Sequence, residues 1–113
     1  MYYDLCERVF LNLERNPNAS LKELSRKLQV SIRTMQNAIF AVTGKKFGEL
    51  RNEMLLKRVE SLLTSAPNIA IKAVSFEAGY RSPRAFARAV RRACGISPKQ
   101  LRSRIGGKRK DDS

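Results

Sequence analysis

Residues 71–101 read IKAVSFEAGYRSPRAFARAVRRACGISPKQL, and this stretch decides the fold. Ile71, Val74 and Ala78 recur at helical spacing, which gives a first short helix one apolar face. Gly79 ends it, because glycine enters positive φ without a steric penalty. Ser82-Pro83 then signals a new start: a hydroxyl to cap the free amides, and a proline where no donor is missed. The second helix places Phe86 and Val90 on its inner face, Arg84, Arg88, Arg91 and Arg92 outside, and closes at Gly95. No acidic residue interrupts from Arg81 to Lys110. A capped helix that is apolar behind and arginine-rich in front, joined by a tight turn to a supporting helix, suits insertion into a DNA major groove.

Upstream, a second unit reads the same way. Asp4 is the expected cap of a first helix, with Glu7 three residues on. That helix carries Leu5, Cys6, Val9, Phe10 and Leu13 on one stripe and ends near Asn16, before Pro17. Ser20 with Glu23 starts the next helix, whose core face is Leu21, Leu24 and Leu28. Gln29-Val30 turns the chain, Ser31 caps a third helix with Met35 and Ile39 inward, and Gly44 closes it. Leu21, Leu24, Leu28 and Val30 match Ile71, Val74, Ala78 and Tyr80 at an offset of 50. After one extra residue, Arg33, Met35, Ile39, Gly44 and Leu50 match Arg84, Phe86, Val90, Gly95 and Leu101 at an offset of 51. Two copies of one helix-turn-helix unit explain both sets.

The fold class expected is therefore all-α, about seven helices, with a first subdomain over 1–45, a linker helix over 46–66, a second subdomain over 67–105 and a disordered basic tail over 106–113. The linker stripe is Leu50, Met54, Leu55, Val59, Leu62 and Leu63. At ~1.5 Å per residue this helix is about 28 Å long, close to the ~34 Å turn of B-DNA. A last short helix is expected to start at Ser97-Pro98 and to turn Leu101 inward.

Composition narrows the partners. The chain has 113 residues, a net charge of +13 and a pI near 10.6. Residues 81–113 hold eleven Lys/Arg against two acids, whereas residues 1–80 hold twelve against eight. A basic C-terminal third calls for a polyanion, with nucleic acid ahead of membrane. No apolar run approaches a membrane span and no signal peptide is read at the start. Cys6 and Cys94 have no metal-type spacing and are expected as reduced, packed thiols. Histidine is absent, as are paired carboxylates in an apolar setting and a glycine-rich phosphate loop, so no cofactor, metal or enzymatic activity is expected.

Ile71, Val74, Ser75, Ala78, Gly79-Tyr80, Ser82, Phe86, Arg88, Val90-Arg91, Gly95 and Ser97-Pro98 together resemble the second helix-turn-helix of the AraC/XylS family of bacterial transcription regulators. The resemblance runs from about Leu21 to Arg102. It implies two helix-turn-helix subdomains joined by one helix and sequence-specific binding to double-stranded promoter DNA. RNA polymerase as a further partner and a cytoplasmic, nucleoid-associated location are expected beside it; the oligomeric state is left open, a monomer on DNA being one option. The chain reads equally as a complete small regulator or as the DNA-binding portion of a longer one. By position, base contacts fall on Arg33, Gln36 and Asn37 in the first unit and on Arg84, Ala87 and Arg88 in the second. Arginine can pair with guanine O6 and N7, the amides with adenine N6 and N7, and alanine with a thymine methyl. Phosphate contacts fall on Ser31, Arg81, Ser82, Arg91, Arg92, Lys99 and Arg102. Met35, Tyr80 and Phe86 are assigned to the core.

The first half departs from the family pattern. Ile39 stands for the usual aromatic, Phe40-Ala41 for a basic pair, and Leu55 for a linker arginine. Phe40 and Val42 are expected to be exposed on the recognition helix. Two alternatives stay open: a low-specificity architectural DNA binder, which charge alone would support, and a protein-interaction module using Phe40 and Val42.

Overall fold

The computed structural model describes residues 2–112, with side chains through residue 106. Seven helices follow one another: α1 (Tyr2–Arg15), α2 (Leu21–Leu28), α3 (Ile32–Thr43), α4 (Phe47–Ser65), α5 (Ile71–Glu77), α6 (Pro83–Cys94) and α7 (Pro98–Asp112). The described residues contain no strand. The chain divides into two units between Met54 and Leu55, inside α4. That helix therefore lends its first half to one core and its second half to the other.

In the first unit, Val9 and Leu13 of α1, Leu24 of α2, Met35 and Ile39 of α3, and Phe47, Leu50 and Met54 of α4 close around Ala19. In the second unit, Leu55, Val59 and Leu63 of α4 pack with Val74, Ala78, Tyr80, Phe86 and Val90, and Leu101 and Ile105 of α7 cover their edge. Each fully buried Leu, Val, Ile, Met or Phe contributes roughly 1.5–3 kcal/mol over leaving it in water. Tyr80 stands edge-on to Phe86, ring centres 5.6 Å apart, a favoured aromatic geometry. The assignment of Met35, Tyr80 and Phe86 to the core holds. Leu55, which stands where the resemblance leads one to expect a linker arginine, is buried in the second core.

The duplication is deeper than the helix-turn-helix. Val9 and Leu13 of α1 correspond at the same offset of 50 to Val59 and Leu63 of α4. The connections correspond as well: the Ala19 amide donates to Asn16 O at 3.1 Å and the Ile69 amide to Ala66 O at 3.0 Å. Val30 N reaches Ser25 O at 3.2 Å, and Tyr80 N reaches Ser75 O at 3.0 Å, so both turns close the preceding helix in one way. The left-handed residue each turn needs is Gln29 (φ 57°) in one unit and Gly79 (φ 89°) in the other. Arg81 is the extra residue of the second turn.

Three local expectations change. Asp4 is not a cap, because α1 already starts at Tyr2; Asp4 lies in its first turn, where a carboxylate still suits the helix dipole. Helix α7 continues past Gly106-Gly107 to Asp112, where a disordered tail is expected from the sequence. Glycine costs a helix about 1 kcal/mol relative to alanine but blocks no hydrogen bond, so two glycines alone do not impose a stop. Ser113 lies outside the described residues. Arg102, read as a phosphate contact, points inward and donates to Ile69 O. Its counterpart Arg51 approaches Ala19 O at 3.5 Å. In both units an arginine on the final helix thus reaches the carbonyl two residues before the first helix of the motif.

Candidate nucleic-acid interface

The second recognition helix, α6, is set by its ends. Ser82 Oγ accepts from the Ala85 amide at 3.2 Å, Pro83 occupies the first helical position, and Gly95 closes the helix at φ 83°. Phe86 and Val90 are fully buried, which fixes the rotation of the helix about its axis. Arg84, Arg88 and Arg91 then recur at i, i+4 and i+7 as one exposed stripe, with Arg92 exposed about 100° further round. Arg81 and Lys99 are exposed at either end, and Ala87 is half-buried beside the stripe. No carboxylate lies on α6, and none occurs in the sequence between Arg81 and Lys110. At like charge and short spacing such a face favours a polyanion and is relieved by binding one.

Helix α3 is built alike with a different surface. Ser31 Oγ accepts from the Thr34 amide at 3.0 Å and donates to Thr34 Oγ1 at 2.9 Å, so its proton is already engaged within the cap. Gly44 ends the helix at φ 72°. Met35, Ala38 and Ile39 are buried, while Arg33, Gln36, Asn37 and Phe40 are exposed on the opposite stripe. Phe40 remains 60% exposed, as expected. Val42 does not: it is half-buried, because two residues past Phe40 the helix has turned about 200°, onto the side of Met35 and Ile39.

A cleft of about 600 Å³ opens beside this stripe. Gln36, Asn37 and Phe40 form one wall, Ser20 and Leu21 another, and Lys46, Phe47, Gly48 and Arg51 the third. The Arg51 guanidinium lies 5.8 Å from the centre of the Phe47 ring, a cation–π contact. Lys46 and Arg51 are not singled out by reading the sequence; the repeat offset that pairs Arg51 with Arg102 is the signal that could have found the latter pair. In register, the second unit holds Arg88 for Asn37, Arg91 for Phe40 and Lys99 for Gly48. Thus the structure brings Arg33, Gln36 and Asn37 together on α3, and Arg84, Arg88, Arg91 and Arg92 together on α6, and takes Arg102 away from both. Burial pushes the Cys6 thiol up, which keeps it protonated near neutral pH. The described residues contain no cluster of metal-ligating side chains and no helix long and apolar enough to cross a membrane.

Known proteins of the same fold are similar to this chain. The model of a helix-turn-helix domain of AraC type matches residues 24–104. The C-terminal domain of AraT, a response regulator from Geobacillus stearothermophilus, superposes with a TM-score of 0.73 at 22% identity, covering 88% of this chain and 84% of that one. The C-terminal domain of the two-component response regulator yesN from Fusobacterium nucleatum gives 0.71 at 18% identity over 88% and 96%. The DNA-binding domain of AdpA, a global transcriptional factor solved in complex with a target DNA, gives 0.71 at 20% identity over 96% of both chains. A search of curated proteins finds no match. The chain is an all-α DNA-binding domain with two helix-turn-helix motifs, of the class found in transcription regulators. It belongs to the AraC-type helix-turn-helix family.

Proposed function

We propose that the chain binds promoter DNA sequence-specifically, with α3 and α6 entering successive major grooves. The observation that carries this reading is the exposed Arg84–Arg88–Arg91 stripe on a helix whose opposite face is locked in the core. Arg84 and Arg88 take guanine edges, Ala87 leaves room or meets a thymine methyl, and Arg33, Gln36 and Asn37 read the first unit's half-site. Arg81, Arg91, Arg92 and Lys99 hold phosphates and set the register, with the Ser82 hydroxyl free to donate outward while it caps the helix. The AdpA domain, similar in fold, was solved in complex with a target DNA, which supports DNA as the partner.

Titration against salt tests the reading. Each neutralised phosphate contributes a slope of about −0.9 in log affinity against log salt, so a slope of roughly −5 or steeper is expected. A flat response would remove DNA binding. Equal affinity for a site selected from a random library and for random DNA would leave only the low-specificity, architectural reading.

A further inference from the structure

We infer that Phe40 is a base-reading residue, an apolar contact for the 5-methyl group of a thymine in the first unit's half-site; the inference rests on the DNA reading above. Helical geometry gives the first reason. Phe40 lies seven residues beyond Arg33, which returns it to within about 20° of the same direction, and it lies three and four residues from Asn37 and Gln36. It is therefore at the centre of the exposed stripe, not at its margin. The helix that presents Arg33, Gln36 and Asn37 to base edges presents Phe40 in the same direction, about 6 Å further along than Gln36.

Chemistry gives the second reason. A phenyl ring offers no donor or acceptor, so against phosphate it would strip water and return nothing. In the major groove the one apolar feature that distinguishes a base pair is the thymine methyl, and phenylalanine is among the side chains able to meet it. Surroundings give the third. The ring is 60% exposed and lines the cleft of about 600 Å³ with Leu21 and Phe47, so the chain itself leaves it accessible. No carboxylate lines that cleft, and Lys46 and Arg51 do, which favours an approaching DNA strand. The second unit sharpens the contrast: Arg91 holds the corresponding place on α6 and brings a guanidinium suited to phosphate, a role a phenyl ring cannot take. One scaffold thus presents an apolar side chain at this place in one half-site and a cation at it in the other.

Deoxyuridine, which differs from thymidine only by lacking this methyl, tests the inference. The full chain is first used to select its site from a random library, and the first unit's half-site is located by the base positions where Arg33→Ala blurs selection. Each thymine there is then replaced by deoxyuridine, one at a time, for the unaltered chain and for Phe40→Ala. One position should lose about fourfold in affinity with the unaltered chain, the factor expected for one buried methyl. The same replacement should cost Phe40→Ala nothing, and Phe40→Leu should restore part of the loss. Unchanged melting of both variants is expected, since the ring is outside the core. Uniform indifference to deoxyuridine, or a penalty that persists in Phe40→Ala, would overturn the inference while leaving DNA binding intact. Failure to select any site would instead remove the reading on which it rests.

Discussion

On α3 the stripe facing away from the core runs Arg33, Gln36, Asn37, Phe40; on α6 the corresponding positions hold Arg84, Ala87, Arg88 and Arg91. Beneath those stripes the two units are nearly interchangeable. Both have a serine cap on the recognition helix, a glycine at its C-terminus, a left-handed residue in the turn, and an arginine from the final helix directed at the corresponding carbonyl, Ala19 O or Ile69 O. Outside, charge separates them: nine Lys/Arg against six acids lie before the division at Met54, and fourteen against four after it. A duplicated core can keep its packing while its surface diverges, because burial fixes only the inward third or so of each helix. Affinity and discrimination can therefore reside in different copies, with the cationic copy supplying the sequence-independent attraction.

The largest effect should come from breaking the equivalence of the cores. Phe86 and Met35 occupy matching positions and both are fully buried. Phe86→Ala should cost about 3–5 kcal/mol and Met35→Ala about 2–5 kcal/mol, through lost transfer energy and the cavity left behind. Hydrogen exchange read residue by residue is the decisive measurement. Phe86→Ala should loosen the amides of α5 and α6 first, and Met35→Ala those of α2 and α3. Identical loss of protection in both units from either change would mean that the two cores melt as one.

A smaller effect separates the surfaces. Arg88→Ala should lose ~1–3 kcal/mol on the preferred site and blur the choice at one base pair. Arg33→Ala should lose less total affinity yet still alter the selected half-site, whereas Arg92→Ala should weaken all sequences alike. Binding curves on the selected site and on random DNA measure all three. If Arg33→Ala proves the most damaging, the second unit is not the dominant contributor.

Much of this contrast is legible from the residues, because helix ends and inner faces are local properties. Ser20, Ser31 and Ser82 as caps, Gly44, Gly79 and Gly95 as stops, and the buried sets on α3 and α6 follow from spacing and side-chain chemistry alone. What escapes is long-range or depends on phase. Arg102 reads as one more cation on a basic surface, since nothing local says that it reaches a carbonyl 33 residues away. Val42 is grouped with Phe40 by closeness in sequence, although about 200° of helical turn separates them. The match of α1 to the second half of α4 is hidden because one copy is a separate helix and the other is continuous with what precedes it. At the interface, the stripes are legible but the cleft beside Phe40 is not, because its walls come from three helices and the turn before α4.

The smallest effect lies in the turns, and it compares two residues at one offset. Gln29 holds φ 57° and Gly79 holds φ 89°, both in the left-handed region that the closure onto Ser25 O and Ser75 O requires. A residue with a Cβ pays roughly 1–2 kcal/mol there, while glycine is unstrained but gives the unfolded chain more freedom, an opposing term of about 0.4–1 kcal/mol. The net sign favours glycine in both turns. Gln29→Gly should therefore stabilise the first unit by about 0.5–1 kcal/mol, and Gly79→Gln should destabilise the second by a similar amount, the same exchange run in reverse. Neither change touches a buried side chain, so binding to the selected site should stay within twofold for Gln29→Gly. Denaturant midpoints of the two variants give the comparison directly, provided the slopes match that of the unaltered chain. If Gln29→Gly is neutral or destabilising while Gly79→Gln costs as expected, the two turns are not equivalent, and the Gln29 side chain contributes an interaction that offsets its backbone strain.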